Sequence, residues 1–135
     1  MFSKNILLVG GCGFIGHNLA IHLKKLGHRP VIVDSLSVNN ILSFADKEVK
    51  NKKLYSAILQ NRIDILNEEA IQLIIQDARD YHAVSKIYND ISPDIIIHLA
   101  GEPISKKRWT KKQKSIIKKS RTLSTSLLYL SLIHI

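Results

Sequence analysis

The chain has 135 residues, 45% of them hydrophobic and 23% charged, which is the composition of a single folded domain. Its one cysteine, Cys12, excludes an intramolecular disulfide and a cysteine-based zinc site. No apolar run approaches the roughly 18 residues of a membrane span, and the apolar stretch near the N-terminus is too short for a signal peptide. We therefore expect a cytoplasmic protein with no membrane-embedded part.

The net charge of +9 comes from one part of the chain. Residues 1–100 carry 11 Lys and Arg against 10 Asp and Glu, whereas residues 101–121 carry nine basic side chains against Glu102 alone. The basic segment, residues 106–121, contains Lys106, Lys107, Arg108, Lys111, Lys112, Lys114, Lys118, Lys119 and Arg121. Such a concentration of charge can attract nucleic acid, but we favour a solvated helix face with Trp109 covering a cleft or the core.

Apolar runs and helical spacings alternate along the chain. The first 34 residues predict a strand at 5–9, a helix at 14–26 and a strand at 31–33 that closes on Asp34. The next residues predict a solvated loop or short helix (35–53), a helix (54–66), a strand (71–75), a helix (80–91) and a strand (94–99). This alternation indicates an α/β fold around a parallel sheet.

A last helix is predicted from about Thr110. It is amphipathic, and the side expected to be buried consists of Ile116, Ile117, Leu123, Leu127 and Leu128.

A glycine-rich turn joins the first strand to the first helix. Gly10, Gly13 and Gly16 form a G-x-x-G-x-x-G arrangement. Side chains at such a turn would block a dinucleotide's pyrophosphate, whereas the N–H groups and positive end of the helix favour it. Gly16 should let the helix pack tightly on the strand. The turn therefore predicts a dinucleotide site.

An acidic residue ends the second strand. Asp34 lies 18 residues after Gly16, where a carboxylate can accept hydrogen bonds from the adenosine ribose hydroxyls. It would repel a 2′-phosphate, and no Arg or Lys between residues 35 and 46 could receive one. We therefore predict NAD rather than NADP as the cofactor. Cys12 is interpreted as a small filler of the turn, and the spacing of the six histidines predicts no metal site.

With these pieces in place, the chain resembles the N-terminal half of an extended short-chain dehydrogenase/reductase, and most closely the NAD-dependent epimerase/dehydratase family that acts on nucleotide sugars. The resemblance covers Lys4 to Leu128 and implies a partial Rossmann-type doubly wound parallel sheet of about four strands. Residues 77–80 resemble the family's adenine contact, and residues 93–101 resemble the strand whose end lines the nicotinamide side. The implied cofactor-binding residues are Gly10, Gly13, Phe14, Ile15, Gly16, Asp34, Ser35, Asp77, Ala78, Leu99, Ala100 and Gly101.

Residues 98–128 are also similar to a narrower branch of small epimerase-like proteins. Our hypothesis is that the chain joins two related genes at the shared motif Leu99–Gly101. The resemblance places four side chains beside the cofactor cleft, where the cations would meet a substrate diphosphate: Glu102, Lys107, Arg108 and Trp109.

The family's catalytic pair is Tyr-x-x-x-Lys, and the residues found four positions after the tyrosines are Leu59, Ser85, Ser92 and Ile133. We therefore expect no catalytic residue and no activity in this chain alone. Residues 1–128 are expected to form an incomplete NAD(P)-binding domain, truncated before the pair, and residues 129–135 an atypical tail. The resemblance implies that the full-length protein acts on a nucleotide sugar, and it is compatible with a homodimer.

Two other functions stay open at this point. One is a non-catalytic dinucleotide-binding module, which also lacks the Tyr/Lys pair. The other is nucleic-acid binding through the basic segment, with Trp109 stacking on a base. NAD binding at micromolar affinity would separate the epimerase/dehydratase and the dinucleotide-binding module from a nucleic-acid-binding protein.

Overall fold

The computed structural model describes residues 2–38, 40–44, 50–104 and 107–133. Asn39, Lys47 and Lys106, which belong to polar or charged stretches of the sequence, lie outside these residues. The elements in chain order are β1 (Asn5–Val9), α1 (Phe14–Lys25), β2 (Arg29–Asp34), α2 (Lys52–Glu68), β3 (Gln72–Ile75), α3 (Tyr81–Ile91), β4 (Ile95–His98) and α4 (Lys111–Ile133). A short 3₁₀ helix, Ile41–Phe44, precedes α2.

The four strands form one parallel sheet in the order β3-β2-β1-β4. The register pairs Leu7 of β1 with Val31 of β2 and with Ile96 of β4. The chain thus moves outward from β1 to β3 and then returns to the other side of β1. This reversal makes the carboxyl ends of β1 and β4 the switch point of the sheet, the place where open α/β folds have their ligand-binding crevice.

Helices cover both faces of the sheet, as a doubly wound fold requires. On one face, Leu8 and Ile32 pack with Ala20 of α1 and Leu66 of α2. On the other face, the core consists of Leu7, Val9, Val33, Val84, Tyr88 and Leu128. Neighbouring residues of β1 and β2 alternate between the two cores because successive strand side chains point to opposite faces.

The predicted elements are all present, with shifted ends. Gly27 has a φ of +86° just after α1, which confirms it as the residue that ends the helix. Asp80 caps α3 by accepting a hydrogen bond from the Ala83 N–H, at 3.1 Å. The prediction of a solvated loop after β2 is partly wrong, because Leu36 and Asn40 are buried there. The domain boundary predicted after Leu128 stays a prediction, and α4 runs across it to Ile133.

The prediction of which residues of α4 are buried is largely wrong. Leu128 is buried in the core, but Ile116, Leu123 and Leu127 are exposed. Among the described elements, α3 is the helix that packs against α4. One neighbouring helix covers only a narrow stripe of α4, so the remaining apolar residues stay in contact with solvent.

Hydrogen bonds attach α4 to the end of β4 and to the residues that follow it. The Glu102 N–H donates to Ser120 Oγ at 3.0 Å, and His98 Nε2 lies 2.7 Å from Ser124 Oγ. The Ser124 hydroxyl donates to the Ser120 carbonyl, so His98 Nε2 carries the proton toward Ser124. His98 Nδ1 is buried and has no hydrogen-bond partner among the described residues. Burial, followed by the charge of Arg121, lowers the pKa of His98.

We predict that acid weakens the fold through His98. Its folded-state pKa lies below the ordinary value of 6.5, so its neutral form favours the folded chain above that pH, and this stability is lost as the pH falls through the folded-state pKa. Urea unfolding at several pH values measures the effect. His98→Gln keeps an N–H donor for Ser124 without titrating, so its stability should fall less between pH 7 and 5. An equal fall in both proteins would contradict the assignment.

Candidate functional site

The glycine turn touches the segment that follows β4. Gly10 has a φ of +73°, and a Cβ built on it would lie 2.6 Å from the Ala100 nitrogen. The Leu99 and Ala100 N–H groups both donate to the Val9 carbonyl, at 2.8 and 3.1 Å. A side chain at position 10 would separate the two strand ends. The predicted site residues of β1 and β4 are therefore brought together.

Gly16 allows α1 to begin directly against the turn. A Cβ at this position would lie 2.3 Å from the carbonyl oxygen of Gly11. The expected tight packing is present, but its partner is the backbone of the turn rather than the strand. Since backbone atoms cannot move aside as a side-chain end can, this glycine is required by the fold itself.

Gly13 is different from its neighbours because nothing in the described chain demands a glycine there. Its φ is −75°, which any residue adopts, and it caps α1 without a side-chain hydrogen bond. A Cβ would meet only the Gly10 carbonyl oxygen, at 3.6 Å. The methyl group of an alanine would instead occupy the space at the helix N-terminus, where N–H groups lack intrahelical partners. An anion at that place would account for the missing side chain.

Phe14 and Ile15 form the first turn of α1, and both are largely exposed. Their exposed fractions are 75% and 68%. Neither side chain contributes to the core, so the two predicted site residues present apolar surface beside the N-terminus of α1.

Asp34 connects the end of β2 to the glycine turn. Its Oδ2 accepts the Cys12 N–H at 3.0 Å, and its Oδ1 accepts the Leu36 N–H at 2.8 Å. Burial raises the pKa of Asp34, and these two hydrogen bonds oppose the rise. Each carboxylate oxygen has capacity for a further hydrogen bond. The side chain can therefore hold the turn and still accept hydroxyl groups.

Ser35, the next predicted site residue, has a local partner. Its hydroxyl lies 2.6 Å from that of Ser37. The pair belongs to the bend that follows β2, beside the carboxylate of Asp34.

Two donors that the sequence analysis missed hold the carbonyl of Cys12. Asn40 Nδ2 donates to this oxygen at 3.0 Å, and Arg62 Nη1 of α2 donates to it at 3.1 Å. Arg62 lies 50 residues from Cys12 in the chain, and no local spacing points to it. Residues 35–46 contain no Lys or Arg, but α2 brings the Arg62 guanidinium to the turn from further along the chain.

Cys12 itself fills the turn, as predicted. Its side chain is fully buried and forms no disulfide. Burial raises the pKa of the Cys12 thiol, with a smaller rise from the charge of Asp34. A buried thiol whose pKa is raised is a poor nucleophile.

Asp77 and Ala78 lie after β3, next to β2. The Gln76 N–H donates to the Asp34 carbonyl at 3.1 Å and ties this loop to the end of β2. Arg79 pairs with the Asp77 carboxylate, Nη2 to Oδ2 at 2.6 Å, and lowers the pKa of Asp77. Ala78 packs against the second core. Because the Asp77 carboxylate is paired with Arg79, fewer of its lone pairs are free to accept a hydrogen bond from a ligand.

Gly101 places the chain close to α4. A Cβ there would lie 3.1 Å from the guanidinium carbon of Arg121, a side-chain contact. The last of the predicted site residues therefore lies between the crevice and the helix that carries most of the basic segment.

Trp109 does not cover a cleft or the core. Its side chain is 58% exposed, its Nε1 donates to the Ile104 carbonyl at 3.0 Å, and Lys114 Nζ lies 5.9 Å from the ring centroid. Lys107 and Arg108 are also exposed. The described part of the basic segment has the character of a solvated surface.

In residues 2–38, 40–44, 50–104 and 107–133, no three His, Cys, Asp or Glu side chains are grouped to hold a metal ion. No helix in the same ranges is long and apolar enough to cross a membrane.

The sequence matches the model of the NAD dependent epimerase/dehydratase family over residues 6–133. The chain belongs to this family. It is 33% identical over 100 residues to the UDP-glucose 4-epimerase of Neisseria meningitidis serogroup A, a match covering 73% of this chain and 24% of the relative. It is 32% identical over 98 residues to UDP-arabinose 4-epimerase 1 of Arabidopsis thaliana, covering 72% and 20%. The chain thus spans about a quarter or less of these curated relatives.

Solved structures of the family share the fold. The UDP-glucose 4-epimerase of Bifidobacterium longum, in complex with NAD+ and UDP, superposes with a TM-score of 0.67 at 19% identity, covering 97% of this chain and 34% of that one. The enzyme from Stenotrophomonas maltophila, with bound NAD and formylated UDP-arabinopyranose, gives 0.64 at 22% identity, covering 96% and 33%. The partial Rossmann-type sheet expected from the sequence is confirmed.

Gly13 and Gly16 should respond differently to substitution by alanine. Gly16→Ala forces a methyl group into the Gly11 backbone, and we expect it to lower the free energy of unfolding by about 1–3 kcal/mol or more. Gly13→Ala finds open space and should change stability by less than about 0.5 kcal/mol. Urea denaturation of both variants measures this. Equal losses would show that the turn is packed in another way.

Proposed function

We propose that this chain is the NAD-binding part of an epimerase or dehydratase that acts on a nucleotide sugar. The observation that carries the proposal is the open space at Gly13, beside a helix N-terminus without a side-chain cap. Asp34, at the end of the neighbouring strand, supports it because its carboxylate can accept ribose hydroxyls. Family membership adds the substrate class, since the relatives named above are sugar-nucleotide 4-epimerases.

In this proposal each segment of the site binds one part of the cofactor. The first N–H groups of α1 would face the pyrophosphate, and Gly13 would leave room for it. Asp34 would bind the adenosine ribose, and the loop at Asp77 and Ala78 would border the adenine. Leu99, Ala100 and Gly101 would lie toward the nicotinamide. When bound, NAD supplies reversible hydride transfer to and from a sugar carbon.

The preference for NAD over NADP rests on Asp34. Its charge would oppose a 2′-phosphate on the ribose it binds. Arg62 weakens this argument, because its guanidinium has further N–H donors besides the one on the Cys12 carbonyl. We keep NAD as the proposed cofactor because the structural neighbours named above were solved with NAD.

We further propose that the 135 residues alone do not turn over substrate. None of the four tyrosines has a lysine four positions later, so the acid/base pair of the family has no counterpart in them. The chain would bind the cofactor and leave proton transfer and sugar binding to other residues. An assay of UDP-glucose and UDP-galactose interconversion tests this part, and measurable turnover by the purified chain would refute it.

Gly13→Ala should separate cofactor binding from folding. We expect its affinity for NAD to fall at least about tenfold, because the methyl group takes the place of the pyrophosphate. Isothermal titration calorimetry measures the affinity. Lys25→Ala, an exposed change at the other end of α1, is the control and should bind NAD like the parent chain. Unchanged affinity in Gly13→Ala would place the phosphates elsewhere, and no NAD binding by the parent chain would refute the proposed function.

A further inference from the structure

Both polar backbone atoms of Cys12 are held by side chains from distant parts of the chain. Its N–H donates to Asp34 Oδ2 at 3.0 Å. Its carbonyl accepts from Asn40 Nδ2 at 3.0 Å and from Arg62 Nη1 at 3.1 Å. The residue before Gly13 is therefore fixed from two sides, which few turn residues require.

The orientation of the next peptide group follows from this arrangement. The peptide between Cys12 and Gly13 is trans, since the described chain contains no cis bond. In a trans peptide the carbonyl and the N–H point in opposite directions. Because Arg62 and Asn40 hold the carbonyl toward themselves, the Gly13 N–H must point away from them. That N–H belongs to the residue whose missing side chain leaves the anion space open.

Arg62 is suited to this task by its place in α2. Leu59 and Leu66 on the same helix are buried, and Ile63 packs against the first core. The helix is thus anchored on both sides of Arg62, which is itself partly buried. A charged donor on a carbonyl also polarises the peptide and strengthens its N–H as a donor.

We propose that Arg62 is a positioning residue for the pyrophosphate of the dinucleotide. It acts through the Cys12–Gly13 peptide and does not touch the ligand. This inference rests on the proposed function and adds to it a residue that lies outside every recognisable motif of the sequence. It also assigns a role to α2, which otherwise only covers the sheet.

The test compares Arg62→Met with the parent chain and with Lys53→Met, which removes an exposed cation from the same helix. The probes are NAD, ADP and adenosine, each titrated into ¹⁵N-labelled protein and followed by NMR. Arg62→Met should weaken NAD and ADP about tenfold, because the Gly13 N–H would no longer be held and polarised as a donor to the pyrophosphate, and it should leave adenosine unchanged. The ligand-induced shift of the Gly13 amide should shrink. Lys53→Met should match the parent chain.

Unchanged NAD and ADP affinities in Arg62→Met, or an equal loss for adenosine, would overturn the inference and leave the proposed function intact. Tight NADP binding by the parent chain that Arg62→Met abolishes would mean direct contact with a 2′-phosphate, and it would overturn both the inference and the proposed preference for NAD. Failure of the parent chain to bind NAD would instead refute the proposed function, and the inference with it.

A second variant covers the case in which Arg62→Met does not fold. Arg62→Lys keeps the charge but loses the planar guanidinium, so it should weaken NAD and ADP several-fold and leave adenosine unchanged. Parent-like binding of NAD and ADP by Arg62→Lys would count against a role for the guanidinium geometry.

Discussion

The structure depends on how closely the backbone of the glycine turn approaches its neighbours. A Cβ on Gly10 would lie 2.6 Å from the Ala100 nitrogen, and a Cβ on Gly16 would lie 2.3 Å from the Gly11 carbonyl oxygen. These contacts let β1, β4 and α1 meet at one point, which no side chain would permit. The crevice of the sheet and the N-terminus of α1 therefore coincide. Gly13, which packing does not require, is the position where this geometry leaves room for a ligand.

The second constraint is electrostatic. Asp34 is a partly buried carboxylate whose raised pKa records the cost of removing its charge from water. The backbone N–H groups of Cys12 and Leu36 offset part of this cost. A ligand that adds hydroxyl donors would stabilise the ionised form further, because the carboxylate has remaining acceptor capacity. The same group thus fixes the turn and keeps acceptor capacity for the ribose hydroxyls of the proposed cofactor.

The sequence predicted the features that depend on neighbouring residues. The strand–helix alternation, with the glycine turn after β1 and Asp34 at the end of β2, follows from local spacing and is present in the structure. The cofactor-binding role of these residues stays a prediction. Arg62 could not be found in this way, because its distance of 50 residues from Cys12 is bridged only by the packing of α2. Ile116 and Leu123 were predicted to be buried and are exposed, for a related reason. Helical spacing identifies an apolar face but does not say what covers it.

Hydrogen–deuterium exchange with and without NAD tests the central claim, that a dinucleotide binds where the turn, the end of β2 and the end of β4 meet. We predict slower exchange of the backbone amides in residues 10–16, 34–36 and 99–101 when NAD is present, with no change in the backbone amides of α4. Unchanged exchange in the glycine turn, or slowing confined to α4, would contradict the claim.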